Sequence, residues 1–157
     1  MKSSERDFVG YGKTPPNSNW PNKSKLAINF VINVEEGSEY SPLLGDKNSE
    51  AGLSEVPGGR HLENQRDLGI ESIYEYGSRV GFWRIHKLFK KYNLPLTIFG
   101  VGMALERNLE ICEEIKKSNY EVASHGWRWI DYQNISKSIE KKHMIKAIKS
   151  IKKIFGK

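Results

Sequence analysis

Cysteine is nearly missing from this sequence: Cys112 stands alone among 157 residues. A single thiol excludes an internal disulfide framework and suits a reducing compartment, so a cytoplasmic location is expected. Long hydrophobic runs are missing too. A helical membrane span takes about 20 apolar residues, and the best candidate, 26–34, is interrupted by Asn29 and Asn33. Residues 1–12 are polar and charged and are not expected to act as a secretion signal. There is no internal repeat or low-complexity tract. Nor is there a phosphate-binding loop, because Gly100 and Gly102 lack a third glycine and no Gly-Lys-Ser/Thr follows. His61, His86, His125 and His143 show no ligand spacing, and Trp129 stands where a His-x-x-x-His pair would place its second histidine. A catalytic zinc centre usually takes three protein ligands. Neither a metal nor another cofactor is therefore expected.

Positive charge is scarce outside one segment. The chain holds 25 Lys and Arg against 19 Asp and Glu, a formal +6. Eight of the lysines, with a single glutamate, fall in residues 137–157, so the rest of the chain is close to neutral. The preferred reading is the solvated face of an amphipathic helix. A module that binds nucleic acid or an anionic membrane is the weaker alternative, and neither partner is expected.

What is present is core material. The apolar fraction is 38%, with 4 Trp, 7 Tyr and 6 Phe, which argues against a disordered chain. The length suits one domain. Residues 1–25, with Gly10, Gly12, Pro15, Pro16 and Pro21, read as an irregular arm whose Phe8, Tyr11 and Trp20 are expected to pack on something. Residues 26–157 form the expected domain.

Residues 26–34 are β-branched and nearly continuous in apolar character, as in a strand buried on both faces. The strand ends at Glu35-Glu36-Gly37, and a loop rich in Gly, Pro, Ser and Asn runs from Ser38 to about Ile70. So long a loop suggests function. Phe82, Ile85, Leu88, Phe89 and Tyr92 recur at helical spacing within 77–92, and Asn93 and Pro95 stop that helix. A strand over 96–101 follows. A helix over about 105–117 then shows Leu105, Leu109, Cys112 and Ile115 on one face, with Asn119 as a left-handed terminator. A third strand, 120–124, runs into His125-Gly126. A last helix over about 138–155 carries a Met144, Ile148, Ile151 and Phe155 stripe.

Short apolar strands alternating with amphipathic helices predict an α/β fold with a parallel sheet. Three strands are too few to close a (β/α) barrel, which typically takes about 200 residues or more. The sheet is thus either small and open or part of something larger.

In parallel α/β folds the carboxyl ends of the strands face the binding crevice. Two such ends carry reactive groups: Glu35 and Glu36 after the first strand, His125 after the third. Adjacent carboxylates can be driven apart in pKa so that one acts as base. A nearby imidazole can donate a proton or orient a carbonyl. Together they suit hydrolysis of an amide-like bond. An acidic pair before glycine is also an ordinary strand exit, and a lone histidine is often structural. Arg66, Arg79, Arg84 and Arg128 could fork onto an anionic or ureido-type substrate, although each also suits a surface ion pair. Trp83, Trp127 and Trp129 read first as core residues.

Several strings resemble a known family. They are residues 6–12, Arg-Asp-Phe-Val-Gly-Tyr-Gly; Val34-Glu35-Glu36-Gly37; Gly45-Asp46 with Ser49-Glu50; residues 71–79, Glu-Ser-Ile-Tyr-Glu-Tyr-Gly-Ser-Arg; Ala104-Leu-Glu-Arg-Asn108; and residues 125–132, His-Gly-Trp-Arg-Trp-Ile-Asp-Tyr. With them the chain resembles the N-terminal portion of the polysaccharide-deacetylase (NodB-like) superfamily, and more narrowly its allantoinase branch. The resemblance implies a partial, truncated and distorted (β/α) barrel with parallel strands. Metal-dependent members end their first strand with two aspartates, one base and one ligand, and add a His-x-x-x-His pair. Here Glu35 and Glu36 take the aspartate places, His125 the first histidine, and Trp129 replaces the second. That departure points away from metal-dependent sugar deacetylation.

The resemblance implies an allantoinase-like hydrolase of C–N bonds in cyclic amides, incomplete in this chain. Glu36 or Glu35 would be the base, His125 the acid or the carbonyl-polarising group, and Arg79, Arg128 and Trp129 would shape the substrate pocket. Its partners would be a small amide, a complementary C-terminal fragment or a second copy of the chain. The alternatives are a deacetylase of N-acetylated sugars or polysaccharides, and a non-catalytic remnant or half of a split enzyme.

Overall fold

The computed structural model describes residues 6, 8–52, 54 and 56–156. Residues 1–5, Asp7 and Lys157, which belong to the expected arm, to one family string and to the basic segment, lie outside the described residues.

Three parallel strands, β1 (Val31–Val34), β2 (Thr97–Gly100) and β3 (Glu121–Ser124), lie side by side in sequence order. The register runs from Val31, Thr97 and Glu121 at one end to Val34, Gly100 and Ser124 at the other. Among the described residues five α-helices accompany them: α1 (Leu68–Tyr76), α2 (Phe82–Tyr92), α3 (Gly102–Arg107), α4 (Leu109–Lys117) and α5 (Lys137–Phe155). The predicted alternation and parallel sense hold, and the sheet is open.

Side chains on a strand alternate between faces, and the faces differ here. Val34 and Ile98 are buried, with Ile32 and Val122 packed beside them, against Phe82, Leu105, Ile111, Cys112 and Ile115 from the helices. The opposite face carries Val31, Asn33, Phe99 and Ala123, of which Val31 and Asn33 are exposed. The expectation of a strand over 26–34 buried on both faces is therefore corrected. Only residues 31–34 pair, Leu26 and Ile28 stand in solvent, and β1 is an edge strand with a bare face. The arm also departs from expectation, since Phe8 and Tyr11 are 80% and 76% exposed.

The helix read over 77–92 begins earlier. Asp67 caps α1, its carboxylate accepting from the Ile70 N–H at 3.1 Å. A widened π-type turn over Gly77–Gly81 joins α1 to α2. Ile70, Tyr74, Phe82 and His86 are buried at spacings of four or eight residues, whereas Ile85, Leu88 and Tyr92 of the predicted stripe are exposed. An ordinary helix turns every 3.6 residues, so one widened turn keeps a four-residue repeat on one side. The second predicted helix is broken at Asn108, whose side chain accepts from the Ile111 N–H and restarts it as α4. Leu109 is exposed and Ile111 buried in its place. Asn119 is left-handed as predicted, with φ of 52°, and Asn93, expected only to stop its helix, ends α2 in the same conformation with φ of 49°. The last helix packs through Ala147, Ser150, Ile151 and Ile154, while Met144 and Ile148 of its predicted stripe face outward. Among the described residues, no helix is long and apolar enough to cross a membrane.

Candidate active site

The carboxyl ends of the strands carry the chemistry. Phe30 and Val34 turn their carbonyls to β2, where the Thr97 and Val101 N–H groups bond them at 3.0 Å. Residues of the other parity, Asn33 and Glu35 among them, therefore turn their backbone groups away from β2. The side chains of Asn33 and Glu35 meet at the sheet's bare face, with a 3.5 Å contact from Asn33 Nδ2 to Glu35 Oε1. From the end of β3, two strands away, His125 reaches back so that its Nε2 lies 2.7 Å from the same Glu35 oxygen. Phe99 of the central strand lies beneath this pair, its ring centroid 6.1 Å from that of the imidazole. The His125 side chain is 41% exposed and Glu35 only 18%. The acid is sheltered and the imidazole faces solvent.

The His125 loop is tied to the start of α3. The Gly102 and Met103 N–H groups donate to the Gly126 and Trp127 carbonyls at 2.8 and 3.1 Å. Two amides left open at a helix start are thereby satisfied.

Glu36 points the other way. It lines a cleft of about 280 Å³ with Glu39, Arg66, Tyr74, Arg79 and Arg107, on the helical side of the sheet. Burial pushes its carboxyl above the ordinary glutamate range, against the backbone N–H groups that favour the ionised form; the charges of Glu35 and Glu39 add to the upward push. Glu39 is raised mainly by burial as well, opposed by backbone hydrogen bonds and the Arg107 charge. Glu39 accepts the Gly37 N–H at 2.6 Å, and Arg107 donates to the Gly37 carbonyl. Arg79 sits on the rim, paired with Glu75 at 3.0 Å and largely exposed.

Arg128 and Trp129 have partners of their own. The Arg128 guanidinium forks onto Asp46 at 2.8 and 2.6 Å and reaches the Glu39 carbonyl at 2.7 Å. Trp129 packs edge-on to Tyr74, centroids 5.2 Å apart, and its backbone N–H donates to the Ser38 carbonyl at 3.1 Å. The Arg128 side chain and the Trp129 backbone pin the loop after β1 to the loop after β3, and the Trp129 ring adds a contact to α1. Of the residues expected in one site, Glu35 and His125 come together, Glu36 and Arg79 share a neighbouring cleft, and Arg128 and Trp129 lie between the loops. Glu39, Asp46 and Arg107 were missed as candidates. A third acid two residues beyond Gly37 was a visible hint for Glu39, but no spacing signal links Asp46 to Arg128.

A metal centre finds too few donors. Glu35 and His125 offer two, Trp129 has no metal-binding atom, and among the described residues no group of three or more His, Cys, Asp or Glu is placed to hold an ion. The side chains present do not fit a three-ligand site.

A family model described as "Polysaccharide deacetylase" matches residues 64–157, more than half of the chain. The chain belongs to the polysaccharide deacetylase family. A Schizosaccharomyces pombe protein named "Putative polysaccharide deacetylase" is 42% identical over 151 residues, 94% of this chain and 47% of that protein. The crystal structure of Puue allantoinase superposes with a TM-score of 0.91 at 46% identity, covering 99% of this chain and 51% of that one. That of a probable polysaccharide deacetylase from Pseudomonas aeruginosa PAO1 gives 0.90 at 47% identity, covering 97% and 51%. The chain thus spans about half the length of these relatives, and its three-stranded open sheet is a partial barrel of the NodB-like type.

Proposed function

We propose that the strand-end pair Glu35 and His125 hydrolyses a C–N bond in a small cyclic amide of the allantoin kind, as part of an allantoinase-like site. The observation that carries this reading is the 2.7 Å contact between the two side chains at the ends of β1 and β3, open to solvent on the imidazole side. The likeness to an allantoinase over nearly the whole chain supports it. Glu35 takes a proton from water, whose oxygen forms a bond to the amide carbon. His125 gives a proton to the departing nitrogen as the C–N bond breaks. The short contact then returns the proton from Glu35 to His125, and the pair is restored. Arg128 and Trp129 act by holding the two loops in place, and Arg79 stays available at the rim. The lone buried thiol of Cys112 suits a reducing compartment, in line with a cytoplasmic protein.

The test is hydrolysis of allantoin by the folded chain and by Glu35→Gln and His125→Ala variants, with N-acetylated sugar oligomers in parallel. Loss of allantoin hydrolysis in both variants, with circular dichroism unchanged, is the expected result. Full hydrolysis by a chain carrying both substitutions removes the assignment, and turnover of the acetylated sugars alone moves it to deacetylation.

A second reading concerns completeness. β1 and β3 each pair with one neighbour, and Leu26, Ile28 and Val31 on one side and Met144, Ile145 and Ile148 on the other are exposed. Unpaired strand edges invite further strands. In this reading activity needs additional barrel strands, whether from the same polypeptide or from another chain. A thermal melt decides its starting point: a gradual, featureless loss of signal from the 157-residue chain supports it. A cooperative, monomeric and allantoin-hydrolysing chain overturns it.

A further inference from the structure

The two adjacent glutamates divide the work, and a missing Cβ makes the division possible. Glu35 turns its N–H away from β2, where β1 is the edge of the sheet and no strand offers an acceptor. The Glu36 side chain folds back to fill that place, its Oε2 accepting the Glu35 N–H at 3.2 Å. Its other oxygen, Oε1, lies against Gly77 at the start of the widened turn between α1 and α2. A Cβ built on Gly77 would sit 2.0 Å from Oε1 and 2.9 Å from the carboxyl carbon. The carboxylate therefore occupies the notch that glycine leaves. Gly77 itself is right-handed helical, with φ −56° and ψ −52°. Backbone conformation does not demand glycine there, because any residue adopts those angles. Room for Glu36 does. Widened turns of this type are frequent at functional sites, and here the turn stands beside the strand end that carries the reacting pair.

We propose that Glu36 is a positioning residue: seated in the Gly77 notch, it holds the Glu35 N–H and so fixes the Glu35 carboxylate toward His125. The inference rests on Glu35 and His125 being the reacting pair. It assigns Glu36 a role that needs no contact with substrate.

The experiment reads the His125 imidazole directly, without an activity assay. In proton–nitrogen NMR spectra of the labelled 157-residue chain, recorded cold to slow solvent exchange, the Nε2–H held by Glu35 gives a downfield resonance, and Glu35→Gln weakens or removes it. Glu36→Ala and Gly77→Ala should each lose that resonance, although Gly77→Ala places a better helix former at a helical position and should melt no lower than the parent. Glu36→Gln retains an oxygen that can accept the Glu35 N–H and should keep the signal. Retention of the resonance in both Glu36→Ala and Gly77→Ala overturns the proposal, as does its equal loss in Glu36→Gln. If Glu35→Gln leaves the resonance intact, the pairing of Glu35 with His125 fails first and the positioning role falls with it.

Discussion

Arg128 and Asp46, far apart in sequence, form a two-pronged ion pair at 2.8 and 2.6 Å with both side chains largely buried. The same guanidinium reaches the carbonyls of Ser38 and Glu39, at 3.4 and 2.7 Å. One side chain thus ties together the loop that leaves β1 and the loop that leaves β3, the two segments that present Glu35 and His125.

Removing one partner of such a pair leaves a buried charge unmatched. Arg128→Ala should lower the unfolding free energy by about 3 kcal/mol, the usual cost of breaking a buried pair from one side. Arg128→Lys should recover little of it, because a lysine cannot fork onto a carboxylate. Urea unfolding of the variants measures both. A loss below about 0.5 kcal/mol, the scale of an exposed pair, would show that the two loops do not depend on this link.

The acids around the cleft should give stability a characteristic pH dependence. Glu36 and Glu39 are raised in the fold above their ordinary value of 4.5, chiefly by burial. Their protonated forms therefore favour folding below that value, and the contribution is lost as pH rises through the raised values. Asp46 runs the opposite way. Burial alone would raise it, but the Arg128 hydrogen bond, the Ser41 N–H and the Arg128 charge carry it below its ordinary 3.8. Its contribution is present above 3.8 and fades as pH falls through the lowered value. The melting temperature should decline from mildly acidic pH toward neutrality, and Glu39→Gln should flatten that decline. Asp46→Asn should flatten the fall on the acid side. Melting curves at a series of pH values check both slopes.

Much of the architecture could be read before the structure. Alternating strands and helices set the parallel sheet, Asn93 and Asn119 marked two ends, and strand-end chemistry placed Glu35 beside His125. What could not be read has physical causes. Gly77, Ser78 and Gly81 weaken a helical pattern locally, so the periodicity showed only from 77 onward, although the chain is helical from Leu68. In α5, close approach to α3 selects small residues, Ala147 and Ser150, so only the Ile151 and Phe155 half of the predicted stripe packs. Arg128 was expected at the substrate because forked recognition suits a ureide. Its match is Asp46, which long-range folding brings to it and local spacing does not reveal.

Another buried polar group lies within the helical layer. Tyr120 Oη stands 3.2 Å from His86 Nδ1, and His86 Nε2 stands 3.2 Å from Glu114, with Phe82 stacked flat on the imidazole. The group joins α2, α4 and the start of β3. Tyr120→Phe removes one member and leaves the His86 nitrogen without its partner, at a cost of about 1–2 kcal/mol. Chemical denaturation measures it. An unchanged midpoint and slope would mean that the layer is held by apolar contacts alone.

A second glycine that leaves no room for a Cβ is Gly102, the first residue of α3. A Cβ there would meet the Trp127 ring at 2.9 Å and the Ala147 Cα at 3.2 Å. Neither neighbour is a free side-chain end. Trp127 is 4% exposed and lies under Lys146, whose Nζ is 4.0 Å from the ring centroid. Ala147 belongs to the backbone of α5, and Ser150 one turn on donates to the Gly102 carbonyl. Gly102→Ala must therefore move a helix or an indole, which puts its cost at about 1–3 kcal/mol. Because the Gly102 N–H also bonds to the Gly126 carbonyl at 2.8 Å, the displacement reaches the residue next to His125. Such a variant should melt lower and shift the His125 imidazole resonances. Gly156→Ala, at a helix end with open space around it, should leave those resonances in place. Equal spectra for the two variants would show that the His125 loop is not positioned from α3.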